Sequence, residues 1–203
     1  MSAMLAKRVL PFVVFVIITV LAVAYFISRG FSARDEPTAI EAWVARQLRH
    51  MAVPRAAREM TNPVPSNPEV LSEAMEHFAD HCAFCHANDG SGNTVIGKGL
   101  YPKAPNMKEA ATQSLSDGEL YYIIHNGVRF TGMPAFGKED GRQDLDSWKL
   151  VRFIRYLPQI TDAELARMKE MNPKTPTDLK EEEDINRFLE GGEPEPSEHT
   201  HHH

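Results

Sequence analysis

The chain holds only two cysteines in 203 residues, Cys82 and Cys85. Two thiols cannot staple a small secreted scaffold, which needs several bridges. No second Cys/His pair stands at finger spacing, so a structural zinc site lacks its ligands. No segment alternates apolar and polar residues for long enough to claim a strand, and the expected class is all-α. No basic stripe runs along the chain, which argues against nucleic acid as a partner. There are no internal repeats. Net negative charge is confined to the end. From Asp178 onward nine acidic residues face two basic ones, a local net of −7 within a total of −6, so the rest stands at about +1.

What is present begins with "VLPFVVFVIITVLAVAYFIS", residues 9–28, twenty residues without a charge. About 20 apolar residues are needed to cross a bilayer as a helix. Lys7 and Arg8 precede the run, and Tyr25 and Phe26 lie near its far end, where interfacial rings are common. A cleaved signal peptide has a shorter apolar core and a small-x-small cleavage site. Here "AVA" lies inside the run, so an uncleaved anchor is expected. Next, "PTAIEAWVARQLRHM" opens on a capping box, Thr38 with Glu41. Ile40, Trp43, Val44, Leu48 and Met51 follow at helical spacing, with Arg46, Arg49 and Arg58 nearby. This 38–60 helix either packs on its own domain or lies on anionic lipid or a partner subunit. "TNPVPSNPEV" is too rich in proline for a helix and reads as an extended linker.

Asn67 or Ser66 then caps a helix with Val70, Leu71, Met75 and Phe78 on its buried face. Gly, Asn and Pro make "ANDGSGNTVIGKGLYPKAPNM" a loop. "SLSDGELYYIIHNGV" is a helix capped by Ser116 and Glu119 and ended by Gly127. "DLDSWKLVRFIRYL" is another, with Leu145, Trp148, Val151, Phe153, Ile154 and Leu157 turned inward and Pro158 as its stop. "TDAELARMKEM" and "TPTDLKEEEDINRFLEGG" read as short capped helices. The end, "EPEPSEHTHHH", is disordered by composition. The organisation expected is a cytoplasmic segment 1–8, an anchor 9–28, an amphipathic helix and linker 29–66, a core domain 67–158, and a helical extension with an acidic, His-containing tail 159–203.

The chemistry sits in "CAFCH", Cys82 to His86. C-x-x-C-H is the attachment pattern of haem c. Two thiols one turn apart reach the two vinyl groups of one porphyrin edge, and the adjacent histidine is delivered beneath the iron. A thioredoxin-like pair would need a βαβ setting, which is lacking. For the iron's other side, "NGVRFTGMPAFG" offers Met133 in a loop braced by Gly132 and Pro134. Met75, Met107, Met168 and Met171 compete but suit core filling. His125, on the preceding helix, is the rival ligand.

Residues 69–158 resemble a class I cytochrome c domain. The resemblance rests on "CAFCH", "APNM", "NGVRFTGMPAFG" and the closing "WKLVRFIRYL". It implies one covalently attached haem c, with His86 and Met133 as axial ligands. It implies that Phe78 and Phe153 meet where the first and last core helices cross. It implies that a proline carbonyl, Pro105 or else Pro102, accepts the His86 ring N–H, which would fix the tautomer. It matches Tyr101, Tyr122, Arg129 and Trp148 to the haem pocket or its propionates. Haem is attached to such proteins on the outer side of the bacterial inner membrane, so the domain is expected in the periplasm. The expected function is a tethered single-electron carrier rather than an enzyme, serving membrane redox complexes or other electron carriers. The alternatives are a haem-bearing non-catalytic subunit of a larger oxidoreductase, a haem sensor, or a metal-handling protein. His199, His201, His202 and His203 could take a divalent metal such as copper, nickel or zinc.

Overall fold

The computed structural model describes residues 2–28, 30, 32–138, 144–174 and 176–189. Among them every regular element is helical, as expected. The tail that carries His199, His201, His202 and His203 lies outside the described residues, as does Gly191.

The N-terminal helix α1 spans Ser2–Ser28. None of its stretch Leu10–Ser28, 19 residues at a mean hydropathy of 2.8, is buried. A helix apolar on every side and uncovered by protein suits a lipid surrounding. Helix α2, Ala39–Ala52, starts where Thr38 accepts from the Glu41 N–H and the Glu41 carboxylate takes the Thr38 N–H. The expected 38–60 helix is broken. Val53 turns to extended backbone before Pro54, which cannot donate the next helical hydrogen bond, and a single turn α3, Arg55–Arg58, follows.

Residues 61–67 are extended but not loose. Asn62 donates its side-chain amide to the Trp148 carbonyl at 2.9 Å. The Arg152 guanidinium donates to the Val64 carbonyl at 2.9 and 2.7 Å. Val64 itself is buried in the core. The proline-rich segment is therefore a strap pinned along the final core helix.

Asn67 accepts from the Val70 N–H and caps α4, Pro68–His77, with proline at its first position, where no hydrogen bond is lost. One π-turn, Phe78–Cys82, follows and leads into α5, Ala83–His86. Short helices α6, Val95–Gly99, and α7, Ala110–Gln113, punctuate the long loop. Helix α8, Asp117–Asn126, opens on the Ser116/Glu119 box and ends at Gly127, whose φ of 66° favours glycine. Helix α9, Leu145–Tyr156, is capped by Asp144 and closes in a 3-10 turn through Pro158. Helix α10, Asp162–Met171, buries Met168 against the core, and α11 spans Pro176–Leu189.

The core lies where α4 crosses α9. Phe78 and Phe153, both buried, meet edge to face with ring centroids 4.8 Å apart. Such a pair adds about 1 kcal/mol to what its burial contributes. Trp148, Val151, Ile154 and Leu157 are buried as read. Leu145 is not. It occupies the first turn of α9, before the helix meets α4, and stands half exposed. Met75, Met107 and Met168 are core fillers.

Candidate haem site

Cys82, Cys85 and His86 fall in one continuous helical run, from the end of the π-turn through α5. The extra residue in the π-turn rotates the chain so that α4 keeps Met75 and Phe78 in the core while the next turn presents the thiols. Both thiols are free and partly buried. Burial, and then the neighbouring Cys85, push the Cys82 thiol up to about 12, so it is a neutral thiol at ordinary pH.

His86 is buried, and burial pushes its ring down to about 4. It is therefore an uncharged imidazole, the form that ligates metals. The Pro105 carbonyl faces the ring and partly offsets the effect of burial. It stands just short of full hydrogen-bond geometry, which leaves Nδ1 without a formal partner. Of the two prolines raised from the sequence, Pro105 and not Pro102 is the one placed at the ring.

The loop after the motif holds it in place. Thr94 donates its hydroxyl to the Cys85 carbonyl at 3.2 Å and accepts from the Gly97 N–H at 2.8 Å. A Cβ on Gly97 would strike that same Cys85 carbonyl. Gly92 donates to the His86 carbonyl at 2.8 Å and sits at φ 72° against the Ala104 carbonyl. Thr94, Gly92 and Gly97 were not singled out in the sequence. The signal for them was "GNTVIG", a hydroxyl three residues before a glycine just after the cysteine pair.

Met133 lies in the loop after α8 and is half-buried. Its carbonyl accepts from the Val128 N–H at 3.0 Å, and its own N–H donates to the Thr131 hydroxyl at 3.1 Å. Further along, Phe136 and Gly137 donate to the last carbonyls of α8, those of Ile124 and His125. The loop is thus tied at both ends and presents Met133 between. A Cβ on Gly132 would run into the Leu100 side chain, so this loop meets the one that follows the cysteine motif. His125 is otherwise engaged. Its Nδ1 shares a 3.1 Å hydrogen bond with Asp144 Oδ2, its ring stacks on Tyr121, and Gly137 leaves room for that ring.

The remaining pocket residues separate. Trp148 is wholly buried, stacked on Tyr121 at 4.2 Å, and its indole N–H has no partner among the described residues. Tyr122 is half-buried on α8. Arg129 is exposed in the Met133 loop. Tyr101 is turned outward, and partial burial, then the nearby Glu41 carboxylate of α2, raise its hydroxyl above the ordinary value.

These observations fit a haem. Two free thiols one turn apart, a buried neutral imidazole, a loop thioether and a buried indole N–H with no partner among the described residues are the donor set a covalently held porphyrin would use. In its helical fold and donor set this region is similar to a class I c-type cytochrome domain. The family described as cytochrome c oxidase, cbb3-type, subunit III matches residues 69–154. The chain is also 31% identical over 84 residues to the cbb3-type cytochrome c oxidase subunit FixP of Rhizobium meliloti (strain 1021). That match covers 39% of this chain and 27% of the relative, so it spans about a quarter of the relative's length.

Proposed function

We propose that this chain is a membrane-tethered monohaem electron carrier on the outer face of a bacterial inner membrane. Cys82 and Cys85 hold the haem covalently, and His86 and Met133 ligate its iron. The observation that carries the reading is the buried, neutral His86 ring beside the Pro105 carbonyl, one residue after the second of two free thiols. The haem, when bound, supplies a one-electron iron couple. A proton on Nδ1 directed at Pro105 leaves Nε2 as the ligating nitrogen and makes the ring more electron-rich. A Met133 thioether ligand would raise the potential relative to a second imidazole. Trp148, whose N–H has no partner among the described residues, would donate to a propionate. Tyr122 and Arg129 are the other candidates for that role. Helix α1 keeps the domain at the membrane, where its partners are concentrated.

A second reading deepens the first: the chain is a haem-bearing subunit of an oxidase complex. The relative's own name supports it. So does α11, on which Leu179, Ile185, Phe188 and Leu189 all stand exposed.

Acid-acetone extraction tests the attachment. Haem should stay with the polypeptide, and Cys82→Ala or Cys85→Ala should weaken or abolish retention. Complete extraction from the wild type would refute covalent attachment. Isolation from native membranes in mild detergent decides between carrier and subunit, by whether an oxidase co-purifies.

A further inference from the structure

We propose that the apolar face of α2 lies in the interfacial layer of the same bilayer that α1 crosses, so that α2 is a second, surface-lying membrane contact. The proposal rests on α1 spanning the membrane.

An amphipathic helix in a folded domain ordinarily turns its apolar stripe to the core. Helix α2 does the reverse. At 100° per residue, Ile40, Val44 and Met51 share one face, flanked by Leu48 and Trp43. All five are exposed, Ile40 by 75% and Met51 by 66%. The opposite face carries Ala42 and Arg49, which are partly covered by the domain. Glu119 on α8 draws Arg49, and His50 Nδ1 stands 2.8 Å from Glu119 Oε1. Further ties hold α2 and its flanks to the domain. Glu36 pairs with Lys103, Tyr101 stands near Glu41, and Ser116 donates to the Arg58 carbonyl at 2.9 Å. The domain therefore holds α2 by its polar side and presents its apolar side outward.

Chain length names the occupant. Ten residues separate Ser28, the end of the apolar span, from Ala39. Even fully extended they reach about 40 Å at most. Helix α2 is thus confined near the surface from which α1 emerges. Charge agrees. From Ala39 to Met60 four arginines face two glutamates, and Arg46 and Arg55 are exposed. A basic helix with aliphatic residues and a tryptophan on its free face suits anionic headgroups and the acyl boundary beneath them. Tryptophan favours that layer. Because α2 also holds Tyr101 and the segment around Lys103, this contact would set how the haem loop stands relative to the membrane.

The two tryptophans make the test direct, since Trp148 is buried and Trp43 is exposed. Full-length holoprotein is reconstituted alone into vesicles of phosphatidylethanolamine and phosphatidylglycerol, with ordinary or brominated acyl chains. Trp43 emission should be blue-shifted, and most of it should be lost in the brominated lipid. Trp43→Phe should abolish that difference. Joint replacement of Ile40, Val44, Leu48 and Met51 by glutamine should return the emission to its water-exposed position and leave the haem spectrum unchanged. Emission at the water-exposed position, insensitive to bromine, would overturn the proposal. So would protection that appears only at high protein-to-lipid ratio, which would make the occupant a second copy. Carbonate washing keeps the two readings apart. Protein that washes off has lost the premise about α1, whereas protein that stays with an unquenched Trp43 refutes only the role of α2.

Discussion

The indole nitrogen of Trp148 offers a test whose sign is informative. The side chain is wholly buried, yet no group among the described residues accepts its N–H. A buried donor left unpaired costs about 1–3 kcal/mol. If a haem propionate accepts it, the bond is charge-assisted and contributes about 1.5–3 kcal/mol instead. A plain Trp148→Phe change confuses the issue, because the smaller ring leaves a cavity. An isosteric replacement avoids this. In a Trp43→Phe background Trp148 is the only tryptophan. Growth on the benzothiophene analogue then removes the N–H while keeping the ring's shape and its 4.2 Å stack on Tyr121. Unfolding of the oxidised holoprotein in denaturant, followed at the haem band, should show the midpoint falling by an amount equal to roughly 1–3 kcal/mol at constant slope. The reduction potential should fall too, because a propionate without its donor favours ferric iron. An unchanged or raised unfolding midpoint would mean that the N–H has no partner in the holoprotein either, and the propionate assignment would fail.

Other outcomes follow from the same geometry. Met133→Ala should abolish the weak sulfur-to-iron absorption of the oxidised protein and let carbon monoxide bind the reduced haem. If His125→Ala removes the low-spin spectrum and Met133→Ala does not, the sixth ligand is misassigned. Gly97→Ala forces a Cβ onto the Cys85 carbonyl and should cost about 1–3 kcal/mol, with a lower yield of haem-loaded protein. Gly99→Ala, which meets nothing within 4 Å, is its control and should be silent. Asp144 is held below the usual carboxylate range. Burial alone would raise it, but hydrogen bonds from Ser147 and His125 prevail. A lowered folded pKa means that its contribution is present above the unfolded value, about 3.9, and is lost as pH falls through the folded one. Asp144→Ala should therefore cost about 1 kcal/mol of capping at neutral pH and lose less further stability on acidification than the wild type, as read by urea unfolding at several pH values.

How much of this was legible in the chain depended on whether a local rule decided the matter. Thr38 with Glu41 and Ser116 with Glu119 are capping boxes set by four consecutive residues, and both formed. The burial of Phe78 and Phe153 was legible because each lies on a helical stripe; that they meet was implied by the family resemblance. Failures came where packing at a distance decided. Leu145 has the right spacing for the inner face of α9, but it occurs before the crossing begins. The proline-rich run reads as a linker because proline forbids a helix. Nothing local says that Asn62 and Val64 will be tied to Trp148 and Arg152, some 86 to 90 residues away. Thr94 and Gly97 escaped notice for the same reason. Their roles are defined by the Cys85 carbonyl, which becomes their neighbour only once the loop folds back.

The strap gives the molecule a property that neither the anchor nor the cytochrome domain has alone. A carrier on a flexible tether samples all orientations, and its partner must wait for the exposed haem edge to arrive. Here residues 36–66 touch the domain repeatedly, from Lys103 and Tyr101 near the motif loop, through Ser116 and Glu119 on α8, to Trp148 and Arg152 on α9. Most of these ties are surface ion pairs or single hydrogen bonds, each contributing roughly 1 kcal/mol or less. Val53, Ala57 and Val64 add buried apolar area at three points along the same path. Peeling the strap away would require breaking the whole series, so the chain from Glu36 onward moves with the domain. On the proposed reading, a strap that moves with the domain narrows the orientations the domain takes at the membrane. That restriction would speed transfer to a fixed membrane partner and slow it to a soluble one. Inserting a flexible Gly/Ser segment after Arg34 should therefore reduce the rate with membrane oxidant and leave the rate with a small soluble oxidant unchanged. Equal effects on both would show that the strap serves stability alone.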